Sequence, residues 1–189
     1  MKETLKEKIL RVTSEKIEMS DYNPIWEKMF KEEKEHLQKH LPQYIIIRIE
    51  HFGSTAIPNM PAKPIIDILV EVVSLEETKL LVVPILESQG YEYFWGPSFD
   101  EDKPPYYCWF IKRDKNGKRT HHIHMVEKNS ELWDRLYFRD YIIENPNIAK
   151  DYAELKLRES KKYNKDRISY TKAKSEFISK ITVEAKNYF

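Results

Sequence analysis

Asp67 is the one charge in the apolar run Pro64-Ile65-Ile66-Asp67-Ile68-Leu69-Val70. A bare carboxylate in such surroundings is costly to bury, so it must be paired, metal-bound or open to a cleft. Upstream lies His51-Phe52-Gly53-Ser54-Thr55. Gly53 has no Cβ to keep a ligand away from the backbone. Ser54 and Thr55 bring hydroxyls and N–H groups of the kind that hold phosphate oxygens. Lys63, beside Pro64, can meet a phosphate as a point charge. Downstream, His122 and His124 alternate with Ile123 and Met125, so both imidazoles share one strand face. Two imidazoles at that spacing can reach one cation. His121 points the other way and reads as structural. His51 either orients the turn or joins the cluster.

These residues need rigid elements to position them. The spacing predicts strands over 44–51, 65–73, 91–95, 106–112 and 119–127, with 65–73 central because it is nearly all apolar. Asn116-Gly117 marks a hairpin between the last two. A helix is predicted over 24–38, with Pro24 in its first turn and Asn23 as its cap. A second begins at Ser74, with Glu77 completing a capping box. It runs to residue 89 with a kink at Pro84 and stops at Gly90. Residues 1–12 read as an accessory helix and 15–19 as a short strand. A loop over 96–105 carries Asp100, Glu101 and Asp102. Three helices follow, over 130–143, 147–163 and 167–188, broken at Asn145-Pro146 and Asn164-Lys165-Asp166. The fold class is α+β.

The run His51-Phe52-Gly53-Ser54-Thr55-Ala56-Ile57-Pro58 with Ala62-Lys63-Pro64-Ile65-Ile66-Asp67 resembles the nucleotidyltransferase superfamily motif. More narrowly, it resembles the GrpB family. Further stretches carry the same resemblance: Tyr22-Asn23-Pro24-Ile25-Trp26, Thr120-His121-His122-Ile123-His124, Phe138-Arg139-Asp140-Tyr141, Tyr152-Ala153-Glu154-Leu155-Lys156, and Asp166-Arg167-Ile168-Ser169-Tyr170-Thr171-Lys172-Ala173-Lys174. It implies a single nucleotidyltransferase-like domain over 1–189, a mixed sheet flanked by helices. Residues 1–16 would be accessory and 130–189 a helical C-terminal section. It implies a nucleotide or another phosphorylated small molecule as partner, with Mg²⁺, Mn²⁺ or Zn²⁺ as the metal. Asp67, His122 and His124 would be the catalytic and metal-binding set. Gly53, Ser54, Thr55, Lys63, Arg139, Lys156, Tyr170 and Lys174 would bind the ligand, with Tyr170 stacking on a base. For Arg139 and Asp140, a structural ion pair is the competing reading. Adjacent helical residues point apart, so the two should serve different partners.

One position departs from the motif. A full acidic triplet would place a second carboxylate at 69, and this chain has Leu69. Glu71, on the same strand face, is either a displaced ligand or a strand-end charge. The loss puts two-metal transfer in doubt and keeps a second hypothesis alive. Domains of this family also occur fused to dephospho-CoA kinase, which implies a non-catalytic accessory or folding module. A His-dependent metallohydrolase is the third reading.

Composition excludes more than it assigns. The 189 residues carry a formal net charge of +1, so bulk charge selects no nucleic-acid partner. The charge is uneven: residues 150–189 hold eleven Lys or Arg against six Asp or Glu. A basic helical end on an acidic body can attract phosphates, or be a solvated helical surface. The single cysteine, Cys108, sits in a hydrophobic strand and suits a reducing cytosol. The charged first residues do not read as a signal peptide, and no apolar run approaches the ~20 residues that span a bilayer. The four tryptophans read as packing residues.

Overall fold

The computed structural model describes residues 3–96 and 105–189. The predicted loop with Asp100, Glu101 and Asp102 lies outside them. The helices are α1 (Leu5–Ser14), α2 (Ile25–His40), α3 (Leu75–Glu77), α4 (Val83–Ser88), α5 (Asp134–Glu144), α6 (Pro146–Lys162) and α7 (Arg167–Tyr188). The strands are β1 (Ile46–Phe52), β2 (Ile66–Val72), β3 (Glu92–Gly96), β4 (Tyr107–Arg113) and β5 (Arg119–Val126). They form one mixed sheet in the order β1-β2-β5-β4-β3, with β2 and β5 parallel and the other pairs antiparallel. The architecture is α+β, and β5, not β2, takes the central place.

Strand alternation gives the sheet two unlike faces. Ile66, Ile68, Val70, Ile123 and Met125 point to one side, where Trp26 and Leu37 of α2 and Leu75, Val83 and Leu86 cover them. Asp67, Leu69, His122 and His124 point to the other. The β1–β2 end of that second face meets the C-terminal helices. The β4 end is covered by Val12 of α1, packed with Phe94 and Ile111. Phe138, Ile142, Tyr152 and Ile181 bind α5, α6 and α7 together around Ile57 and Met60, from the loop just after the Gly53 turn. The helical section is therefore seated directly on the motif.

Three local predictions need correction. Residues 15–19 do not form a strand. Arg167 takes the carbonyls of Glu15 and Lys16, and Ile17 donates to the Asn164 carbonyl, which leaves one bridge, Ser20 to Ala62. Asn23 precedes the helix start but still serves it, its Oδ1 accepting from the Ile25 N–H at 3.1 Å. The predicted kink at Pro84 is a widened π turn over Thr78–Val82, between α3 and α4. Proline lacks an N–H and crowds the carbonyl four residues back, and a wider turn relieves both. Ser74 accepts from Glu77 N–H at 3.3 Å, as its capping role requires.

Candidate functional site

The parallel pairing of β2 with β5 sets Asp67 beside His122 and Leu69 beside His124. Candidate ligand atoms of Asp67, His122 and His124 all lie within 4.8 Å of one another. Asp67 Oδ1 is 3.2 Å from His122 Nδ1. Arg119 Nη1 stands 3.4 Å from His122 Nε2. A guanidinium only donates, so Nε2 accepts and Nδ1–H donates to Asp67. Burial works against the Asp67 charge, but the His122 hydrogen bond and the nearby His124 and Lys63 outweigh it, and the carboxyl is held low. Burial also pushes the His122 imidazole down, against the pull of Asp67. At neutral pH the pair is a carboxylate hydrogen-bonded to a neutral ring. Burial lowers His124 to about 3, so it too is neutral.

Gly53 stands directly behind the carboxylate. A Cβ there would lie 2.6 Å from Asp67 Oδ2, and its φ of +73° belongs to glycine. The Ser54 hydroxyl lies against that of Tyr152. Thr55 turns inward: its Oγ1 donates to the Ile65 carbonyl at 3.2 Å and meets His51 Nε2 at 3.0 Å. That hydroxyl is spent on shaping the turn rather than on a ligand. The same contact settles the role of His51. Its ring stacks on Phe30 of α2, on the opposite sheet face from Asp67, and orients the turn through Thr55.

Across from Asp67 stand three lysines. The ammoniums of Lys63 and Lys174 lie 5.3 and 3.9 Å from the centre of the Tyr170 ring. Lys156 lies 4.8 Å over Tyr152 and donates to the Pro61 carbonyl at 2.6 Å. Among the described residues none of the three has a carboxylate in ion-pair contact. Burial, then Arg167 and Arg119, lowers Lys63 to about 8. Burial and then Lys63 lower Lys156 to about 7. Lys174 is pushed well down by burial and by both other lysines. Tyr170 is 1% exposed with Lys174 over its ring. It has no free face for a base, and instead serves as a platform for lysines.

Other candidates fall away from this cluster. Arg139 donates to the His51 carbonyl and to Asp140, both at 2.6 Å, and fastens α5 to β1. The two adjacent residues do pair, because the long guanidinium stem folds back across one step of helix. Glu71 faces Arg48 at 3.6 Å as a strand-end charge. Leu69 is fully buried among Phe52, Val126 and Leu132. A concavity of about 800 Å³ near Glu71, Leu75 and Glu127 holds none of the candidate residues.

Two neighbours were not legible from the sequence. Arg119 should face away from His122 if strand alternation held. A bulge opposite Lys112 and Arg113 shifts the register, and Arg119 swings onto the histidine face. Arg135 of α5 acts electrostatically on His124, Lys174 and Tyr152. Only the seating of α5 on the sheet brings it there, and no local pattern announces that.

The family profile described as "GrpB protein" matches residues 16–184. UPF0157 protein YqkA of Bacillus subtilis is 39% identical over 175 residues, which are 92% of this chain and 48% of YqkA, so the chain spans about half that relative's length. Glutamate-rich protein GrpB of Alkalihalophilus pseudofirmus is 33% identical, over 93% of this chain and 99% of its own. The crystal structure of conserved protein GrpB from Enterococcus faecalis is similar with a TM-score of 0.76 and 36% identity, covering 90% of this chain and 99% of that one. With the profile spanning residues 16–184, and a relative 33% identical over 93% of this chain and 99% of its own length, this chain belongs to the GrpB family.

Proposed function

We propose that Asp67 and the lysines it faces on the C-terminal side bind a nucleotide or another phosphorylated small molecule. The observation that carries this reading is the lysine trio. Three lysines crowd together and repel one another, and the pull of Asp67 on Lys63 and Lys174 does not offset burial and that repulsion. A polyanionic ligand supplies the missing charge. Charge-assisted hydrogen bonds from Lys63, Lys156 and Lys174 would hold its phosphates, with Ser54 and the Gly53 turn at their flank.

In the catalytic form of the reading, an acceptor hydroxyl attacks the α-phosphorus of a nucleoside triphosphate, the bond from that phosphorus to the bridging oxygen breaks, pyrophosphate leaves, and the hydroxyl proton passes to solvent. The lysines neutralise charge on the departing phosphates. Asp67, kept ionised and oriented by His122, faces the reacting phosphate. A divalent ion on this cluster would supply Lewis-acid stabilisation of the phosphoryl oxygens. A non-catalytic ligand-binding module is the second reading, and Leu69 favours it. Position 69 is committed to the core, so the second carboxylate of the motif has no substitute there.

Thermal shift with ATP, AMP and inorganic tripolyphosphate tests the binding, since a ligand of the native state raises apparent stability. ATP and tripolyphosphate are expected to raise the melting temperature more than AMP. No shift with any of the three contradicts the proposal. Pyrophosphate release from a bound triphosphate separates enzyme from module.

A further inference from the structure

The superfamily motif implies a hard Mg²⁺ ion on paired carboxylates, and the donors on this sheet face do not fit one. Mg²⁺ takes oxygen ligands in near-octahedral geometry. Asp67 is the one carboxylate that the described residues bring to the cluster. Glu71 is engaged by Arg48 and Glu50 by Arg139, each at 3.6 Å. Leu69 fills the remaining place with hydrocarbon.

The second donor is an imidazole. His124 is gripped by aromatic rings: Phe52 at 5.4 Å, Tyr107 at 5.3 Å and Trp109 at 6.1 Å between centroids. Among the described residues no protein group hydrogen-bonds its nitrogens, although they stand within reach of Asp67. His122 differs. Both of its nitrogens are engaged, one by Asp67 and one by Arg119. His124 thus has a fixed ring with a nitrogen to spare, and His122 has a ring already employed in holding the carboxylate.

We infer that Asp67 and His124 bind a transition ion of the Zn²⁺ or Co²⁺ kind in preference to Mg²⁺, with His122 acting as a positioning residue for Asp67. Imidazole favours such ions, whereas Mg²⁺ gains little from nitrogen. The inference concerns the same site as the phosphate proposal and rests on that proposal's use of a divalent ion there.

The test is metal titration of the full chain, stripped of metal by chelation. Co²⁺ binding is read by visible absorption, and Zn²⁺ and Mg²⁺ by their displacement of Co²⁺. Zn²⁺ is expected to bind roughly 100-fold or more tighter than Mg²⁺. His124→Gln should collapse that ratio by at least about tenfold. His122→Asn should weaken every ion by about tenfold, as loss of an orienting partner does, while leaving the ratio in place. A Zn²⁺ to Mg²⁺ ratio near one in the parent, or a ratio unchanged in His124→Gln, overturns the inference. Should His124→Gln not fold, the parent decides alone. Zn²⁺ must then shift the His124 ring resonances in the NMR spectrum, and an unshifted ring refutes it. Tripolyphosphate binding measured in chelator is a separate readout. If it fails while Zn²⁺ selectivity holds, the phosphate proposal falls and the metal site stands; the reverse pattern removes the metal site alone.

Discussion

Two basic clusters meet at Lys63, and they are built in opposite ways. On one side Arg113, Arg119 and Arg167 surround Glu15. Arg113 and Arg119 stand 2.6 Å from its carboxylate and Arg167 stands 3.9 Å away. Other donors of the three reach Glu92, His122 and the carbonyls of Val12, Glu15, Lys16 and Gly117, while Arg167 Nη1 is buried without a hydrogen-bond partner among the described residues. On the other side Lys63, Lys156 and Lys174 share two tyrosine rings and one backbone carbonyl, with no paired carboxylate among the described residues. Guanidinium forks match carboxylate and carbonyl geometry, and the arginines use it to tie α1, the β4–β5 hairpin and α7 together. Ammoniums are point charges, and the lysines make no ion-pair contact among the described residues, with Asp67 acting on Lys63 and Lys174 only from a distance. A positive cluster with its own counter-ion is a structural device, and the proposed phosphate binding rests on the cluster that lacks a carboxylate in ion-pair contact.

The largest effect should come from the paired cluster. Burial pushes the Glu15 carboxyl up, but the hydrogen bonds of Arg113 and Arg119 prevail and lower it. Glu15→Gln leaves Arg119 and Arg167 without a carboxylate partner among the described residues, Arg113 keeping Glu92, and should cost about 2–3 kcal/mol, measured by denaturant unfolding, between the cost of breaking a surface pair and a buried one. A loss under about 1 kcal/mol would show that the cluster is a surface ornament and would blur the contrast.

The unpaired cluster should respond with the opposite sign. Lys63 and Lys156 sit at about 8 and about 7 in the folded chain, below the unfolded value near 10.4. The unfolded state therefore binds more protons between roughly pH 7 and 10, and stability of the free protein rises with pH across that window. Lys156→Met should stabilise the free protein by about 1 kcal/mol or more at pH 7 and flatten the rise. Phosphate ligands prefer the charged lysines, so their affinity should fall over the same window. Stability that falls from pH 7 to 10 would mean that the ammoniums already have partners.

Much of this was legible from residues 44–73 and 119–127. The Gly53 turn, the lone Asp67 and the alternating histidines need only strand periodicity to share one face, and the short Asn116-Gly117 hairpin fixes β4 against β5. What escaped was set at a distance. Thr55 looks like a ligand residue in the motif, yet the geometry of the loop closes its hydroxyl onto Ile65. Tyr170 has the chemistry of a stacking ring, yet the packing of α7 buries it. Arg119 depends on a bulge and Arg135 on the docking of α5. Residues 15–19 have the alternation of a strand, but lose their carbonyls to Arg167, 151 and 152 residues away in sequence. Among the described residues no helix is long and apolar enough to cross a membrane.

Calorimetric titration of inorganic tripolyphosphate, with chelator present, tests the central claim most directly. It compares the parent with Lys174→Met from the unpaired cluster and Lys118→Met, whose partner is Glu18 at 3.2 Å. The account predicts binding in the parent at pH 7, a loss of at least about tenfold in Lys174→Met, as expected for a charge-assisted contact, and no change in Lys118→Met. Absence of binding in the parent, or an equal loss in both variants, would contradict it.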